Sequence, residues 1–214
     1  MRKYYLSEKV RQFHYEADGN KHSVNLRQIV ALRDFADVKR GDEGGWLDNE
    51  AALSHEGECW IYDPNSAVFA GAKIEGNARL TGECIISHGA IVSDNARLDS
   101  VQASHCARIS DNVTVSHSQI RGYCHLADNA QILPHSLIIA AQGLTADSDK
   151  ILRIYQRATV SASRIVHQAQ VYGDAFVEHA FVEHRAEIFD CARLEGNDEN
   201  DVWVCDLSLI HISE

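Results

Sequence analysis

One phrase returns along this chain at a fixed interval, and that interval restricts the possible folds more than any other property. "EGNARL" (75–80) comes back as "SDNARL" (93–98), then more loosely as "SDNVTV" (110–115) and "ADNAQI" (127–132). Following the aliphatic residue that opens each phrase gives a column, Ile74, Val92, Ile109 and Leu126, with steps of 18, 17 and 17. Leu80, Leu98, Val115 and Ile132 form a second column, and Ile86, Ala103, Ile120 and Leu137 a third. Within one turn the steps between columns are 6, 5 and 6, which sum to 17. The pattern pauses after Leu137 and resumes at Ile154, running on through Val160, Ile165, Val171, Val177, Val182, Ile188 and Leu194.

A small residue stands four places after many of these positions: Ala78, Cys84, Ala90, Ala96, Val113, Cys124, Ala130, Ala158, Ala169, Ala175, Ala186 and Ala192. Two apolar positions in every five or six residues are too sparse for a helical stripe of period 3.6. They suit short strands, each closed by a tight corner of Gly, Asp or Asn. Three such strands make a triangular coil, and the next coil lies about 4.8 Å above it, so that like residues stack. The expectation is an all-β chain, a parallel β-helix with an aliphatic interior.

The phrases "IEGNAR", "VSDNAR" and "LADNAQ" resemble the hexapeptide repeat of a family of acyltransferases, and the resemblance covers roughly residues 60–206. It implies a left-handed β-helix, a handedness that the spacing alone does not give, since crossovers between parallel strands are normally right-handed. Closer still, "GGWLD" (44–48), "CWIYD" (59–63), "LTADSDKILRIYQRATVSASRIVHQAQVYG" (144–173) and "HAFVEHRAEIFD" (179–190) are similar to the YdcK-like group of hexapeptide-repeat transferases. Members of the wider family assemble as trimers and bind acetyl-CoA along a wall, in a cleft between subunits. A homotrimer with acetyl-CoA as co-substrate and a small-molecule acceptor is what the resemblance implies.

Residues 1–50 do not follow the repeat. "RQFHYEA" and "SVNLRQIVAL" flank "DGNKH" and read as a β-hairpin, an N-terminal cap over the open end of a solenoid occupying 51–206. The pause between Leu137 and Ile154 holds eleven residues more than a coil needs. An inserted loop near 138–153 should therefore leave the prism at one corner. The last eight residues, "LSLIHISE" (207–214), offer no coil. They are also what CTG TCT CTT ATA CAC ATC TCC GAG encodes, which resembles a transposase adapter used in sequencing libraries. They are expected to be a non-native tail, the native chain continuing past Asp206 with further coils.

A formal net charge of −11 argues against nucleic acid or an anionic membrane as partner. The opening "MRKYYLSEKV" lacks the apolar run of a secretory signal, so the chain is expected to be cytoplasmic. Six cysteines form no C-x-x-C pair, and Cys84 and Cys124 fall on small inward positions, as buried hydrophobes do.

The candidates for chemistry are histidines, of which there are twelve. His88, His105, His167 and His184 each lie two places after a third-column residue, and His117 and His179 two places after a second-column residue. These are corner positions, where a positive φ is common and His is tolerated for that reason alone. In the resembled family a corner His serves as general base, a role suited to a side chain that titrates near neutrality. His167, His179 and His184, just beyond the loop, are the catalytic candidates, with His135 just before it. No metal enters that reading. A second starts from His179-x₄-His184, which resembles the paired zinc ligands of gamma-class carbonic anhydrases. Its third nitrogen would come from His167, His135 or a neighbouring chain, for the usual offset lands on Pro134. A non-enzymatic scaffold is the third class.

Overall fold

A computed structural model describes residues 2–17, 19–197, 199–206 and 208–210. It is a parallel β-solenoid of three walls. The chain passes from the first wall to the second and then the third before climbing to the next coil. Among the described residues the second and third walls hold eight strands each, and the first holds eleven. Among the described residues there is no α-helix, only a single 3₁₀ turn at Glu50–Ala52.

The repeat builds the walls by register. On the second wall Ile74 pairs with Val92, Val92 with Ile109, and Ile109 with Leu126, all inward and buried. Leu80, Leu98, Val115 and Ile132 stack likewise on the third. On the first wall the column runs Ile86, Ala103, Ile120 and then Ile138, one residue beyond the Leu137 that the spacing suggested. Leu137 pairs with Gln119 on the outer face instead. A strand's side chains alternate faces, so this shift of one exchanges which residue is buried. The small residues four places on, from Ala78 to Ala192, are fully buried beside the corners.

Each buried Ile, Leu or Val adds about 1.5–3 kcal/mol. Cys84 and Cys124 fill the same small positions, and burial pushes their thiols up to about 11 and about 12, which keeps them inert.

At the N-terminal end, Tyr4–Ala17 and Asn20–Ala31 pair antiparallel and extend the first wall. Phe13 and Tyr15 reach round to pack on Phe69, outside the prism. Inside that end, the buried Lys3 donates from Nζ to the carbonyl of Cys59 at 2.8 Å, under the ring of Phe35. At the other end, Leu209–Ile210 pairs with Glu187–Ile188. Of the remaining expected tail, Leu207 and 211–214 lie outside the described residues.

The chain leaves the walls between Ala140 and Leu152. The coils on either side still stack, Ile138 on Ile165 and Leu126 on Ile154. Residues 138–140 belong to the first wall, so the excursion begins on the edge between the first and second walls. Leu144 packs on the core, and Lys150 bonds Glu187 at 2.6 Å, fastening the loop to the second wall.

Candidate functional site

The three edges of the prism follow one backbone rule and three different chemistries. Each corner needs a residue in the left-handed region. Between the second and third walls that residue is Gly76, Asp94, Asp111, Asp128, Gln156, Gly173 and Asp190 in succession. Asp94 Oδ2 accepts from the N–H of Asp111, Asp111 Oδ2 from that of Asp128, and Asp128 Oδ2 from that of Gln156. Alongside, the amides of Asn77, Asn95, Asn112 and Asn129 form a ladder at 3.1–3.2 Å. This edge is saturated by its own bonds. At Gly76 a Cβ would come within 2.8 Å of the Asp94 nitrogen, so this position requires glycine.

The edge between the first and second walls carries His88, His105, His167 and His184, all at positive φ. The loop of 141–151 springs from this same edge. His88 and His105 are stacked rings, 4.9 Å apart and 10° from parallel, each with Nδ1 at 2.9 Å from the hydroxyl of the preceding serine. Tyr15 of the cap stands edge-on to His88.

Beyond the loop the arrangement changes. The rings of His167 and His184 are 5.0 Å apart but tilted by 56°. The backbone N–H of His184 points at His167 Nδ1, 3.4 Å away. Glu183 Oε2 lies 3.5 Å from His184 Nδ1, while its Oε1 accepts the indole N–H of Trp203 at 3.0 Å. Trp203 thereby fixes the carboxylate. One ligand atom from each of His167, Glu183 and His184 lies within 4.8 Å of the others. An open cavity of about 650 Å³ faces both histidines, lined also by Ala141, Gln168, Arg185 and Asp206. Gln168 joins the parts, accepting from Arg185 and donating to the carbonyl of Lys150 in the loop.

His179 is elsewhere. It occupies the edge between the third and first walls, in the row of His117 and His135. The strand Ala180–Val182 separates it from His184, and five residues of extended chain span roughly 16 Å. The spacing His179-x₄-His184 thus joins two different edges. His135 lines a cavity of about 470 Å³ with His117, Arg164 and Asp201, to which His179 does not contribute.

Reasoning from sequence missed Glu183. The phrase "FVEH" occurs twice in succession, at 176–179 and 181–184. Glu178 of the first copy lies 3.2 Å from the Ser161 hydroxyl, and only Glu183 of the second reaches a histidine pair. Missed too was a stack of Tyr155, Tyr172 and Phe189 on the outer second wall, its rings 4.9 and 5.3 Å apart. Burial, with the nearby Glu187 carboxylate second, pushes the Tyr172 phenol up to about 12. The rings cover one another's faces, which makes the stack a ladder of the wall rather than a platform for a ligand.

With this geometry in hand, two comparisons are informative. The family model described as YdcK Beta solenoid repeat matches residues 107–123, 152–168 and 169–185, each window one 17-residue coil. A relative from Escherichia coli (strain K12), named "Uncharacterized acetyltransferase YdcK", is 53% identical over 211 residues, which is 99% of this chain. The chain spans 65% of that relative's length. No helix among the described residues is long and apolar enough to cross a membrane.

Proposed function

Since the chain is a YdcK-like β-solenoid protein, we propose that it is an acetyltransferase, moving an acetyl group from acetyl-CoA to a hydroxyl or amine of a small acceptor. The observation that carries this reading is the Glu183–His184 pair, its carboxylate braced by Trp203 and its imidazole open to the cavity beside the loop. Glu183 Oε2, 3.5 Å from Nδ1, would orient the ring on tightening to a hydrogen bond and leave the Nε2 lone pair for an acceptor proton, the base-and-orienter arrangement of acyl transfer. The freed acceptor atom attacks the thioester carbonyl. The intermediate collapses with breakage of the C–S bond, and the CoA thiolate takes back the proton from the imidazolium. His184 is the base in this scheme, Glu183 its positioning residue and His167 the neighbour that confines the ring. His179, on another edge, has no part in it.

The cavity is open on one side, and a homotrimer in which a neighbouring wall closes it completes the proposal. A cytoplasmic location goes with a supply of acetyl-CoA. The test is thiol release from acetyl-CoA with a panel of amines and sugars. His184→Gln should lower the rate at least about 100-fold with any acceptor found. Glu183→Gln should lower kcat more than it changes KM. Full activity in His184→Gln would remove the histidine from the mechanism.

A second reading is favoured by one distance. Zinc bonds of about 2.1 Å in tetrahedral array put ligand atoms about 3.4 Å apart. His184 Nδ1 and Glu183 Oε2 stand at 3.5 Å, with His167 beside them. Two imidazoles and a carboxylate with an open position suit a divalent cation, with His167 taking the place His179 had in the expected pair. A zinc ion held there would supply an acidified water. Metal analysis of the purified chain separates the readings. One equivalent of zinc, removed by His167→Gln and required for turnover, would favour the cation.

A further inference from the structure

We propose that Arg108, His125 and Arg153 form a docking site for the phosphate group of a small molecule, on the outer face of the second wall. The three are outward neighbours in register, Arg108 beside His125 and His125 beside Arg153. Lys73 stands two strands below Arg108 on the same face, with Ile91 between them. A row of cations is anomalous in a chain of net charge −11. The two arginines stand on alternate strands with His125 between them, near enough for one anion to reach both.

Nothing among the described residues neutralises it. Among the described residues neither Arg108 nor Arg153 meets a carboxylate within 4.0 Å, although nine other ion pairs are formed there. The Arg108 guanidinium lies 5.7 Å from the centre of the Tyr123 ring, a contact that holds it without discharging it. Asp128 lines the same groove, but its Oδ2 already accepts the N–H of Gln156.

At the centre sits His125, its Nε2 buried and without a partner. A buried, unpaired polar atom in a native structure calls for an explanation, and a rotation of this ring would bring it to a group held in the groove. Two grooves meet at this ring. One of about 360 Å³ is lined by His125, Ala127, Asp128, Arg153 and Tyr155. The other, of about 260 Å³, brings in Arg108 with Ser93 and Ser110. Burial, and then the two guanidinium groups, hold the imidazole below its ordinary range, so at neutral pH it is uncharged and has an N–H to give.

The arginines are two strand spacings apart, about 10 Å, which long side chains can close on a group with several oxygens. Paired guanidinium forks flanking a neutral N–H donor match a phosphate or pyrophosphate better than a lone carboxylate. This inference does not depend on the transferase reading. The phosphate could belong to CoA or to an acceptor, and binding is measured without turnover.

The test follows imidazole NMR signals of the full chain on addition of inorganic phosphate and then pyrophosphate at low salt. The His125 signal is the one missing from His125→Gln. A saturable shift of this ring, weakened about tenfold in Arg108→Gln and in Arg153→Gln, is the expected result. Asp128→Asn, which keeps its hydrogen bond but sheds a negative charge, should tighten pyrophosphate binding. Displacement of pyrophosphate by CoA would assign the site to the phosphates of CoA. Pyrophosphate binding that CoA does not disturb would assign it to another phosphate-bearing ligand. No saturable shift, or one unaltered in both arginine variants, would overturn the proposal.

Discussion

The aspartate edge and the histidine edge are built on the same backbone turn and do opposite things with it. At the first, the carboxylates of Asp94, Asp111 and Asp128 turn along the stack and accept the N–H of the coil above, so the side chain closes the turn that its own φ opened. At the second, the contact of this kind is a long one, 3.4 Å from the N–H of His184 to His167 Nδ1. Below the loop the imidazoles stack on one another and on serine hydroxyls, and above it they face a cavity and Glu183. Chemistry collects where the turn residue is left over after the turn has been satisfied.

The largest effect expected from this contrast is kinetic. His184→Gln should lower acetyl transfer by a factor of about 10²–10³ while leaving the unfolding midpoint unmoved, since its ring closes no coil. An equal loss of stability would erase the distinction between the edges. The aspartate edge should behave in reverse. Asp111→Ala places a Cβ-bearing, non-bonding residue at φ 56° and removes an acceptor, for a loss of about 2 kcal/mol in urea unfolding without effect on turnover. Asp111→Asn, which tolerates the same turn and still accepts, should cost under about 0.5 kcal/mol.

A smaller change is expected where the loop is tied down. Lys150→Met breaks a half-buried pair with Glu187, and about 1 kcal/mol or less should be lost. Activity should fall further than that, because the loop lies on the edge of the site. Smallest of all, His105→Asn replaces one left-handed-tolerant residue with another outside the cavity facing His167 and His184, and both stability and turnover should stay within error. A marked fall in turnover for His105→Asn would move the active region below the loop.

What could be read from the sequence divides along the same line. The walls were legible because they obey nearest-neighbour chemistry. An inward aliphatic at 17-residue intervals pairs with its like, and a small residue fits beside a corner. The slip in the columns, Leu137 for Ile138, came where the pattern stops and no following phrase checks the count, and for the same reason the expected loop took in wall residues at both ends. The grouping of the histidines was not legible. His179 and His184 obey the same corner rule, and only the number of walls between them shows that they sit on different edges. Glu178 and Glu183 share a phrase and diverge because the coil above sets Trp203 over one of them only. The row of Arg108, His125 and Arg153 was hidden by the loop. Its spacings are 17 and 28, and 28 becomes one coil only once eleven residues are subtracted.

The uninterrupted register from Ile74 up to Ile188 has a kinetic consequence as well. Every coil is held chiefly by the two next to it, as in a linear chain of coupled units. Opening therefore proceeds as a moving front from coil to coil, and a coil is shielded by its distance from the front. Amide exchange should slow from either end towards the coils around Leu98 and Ile120, and the loop marks a natural place for the front to pause. Because His184 and Glu183 lie on one flank of that pause and His88 on the other, a partly opened chain could lose its reactive edge while its lower half stays locked.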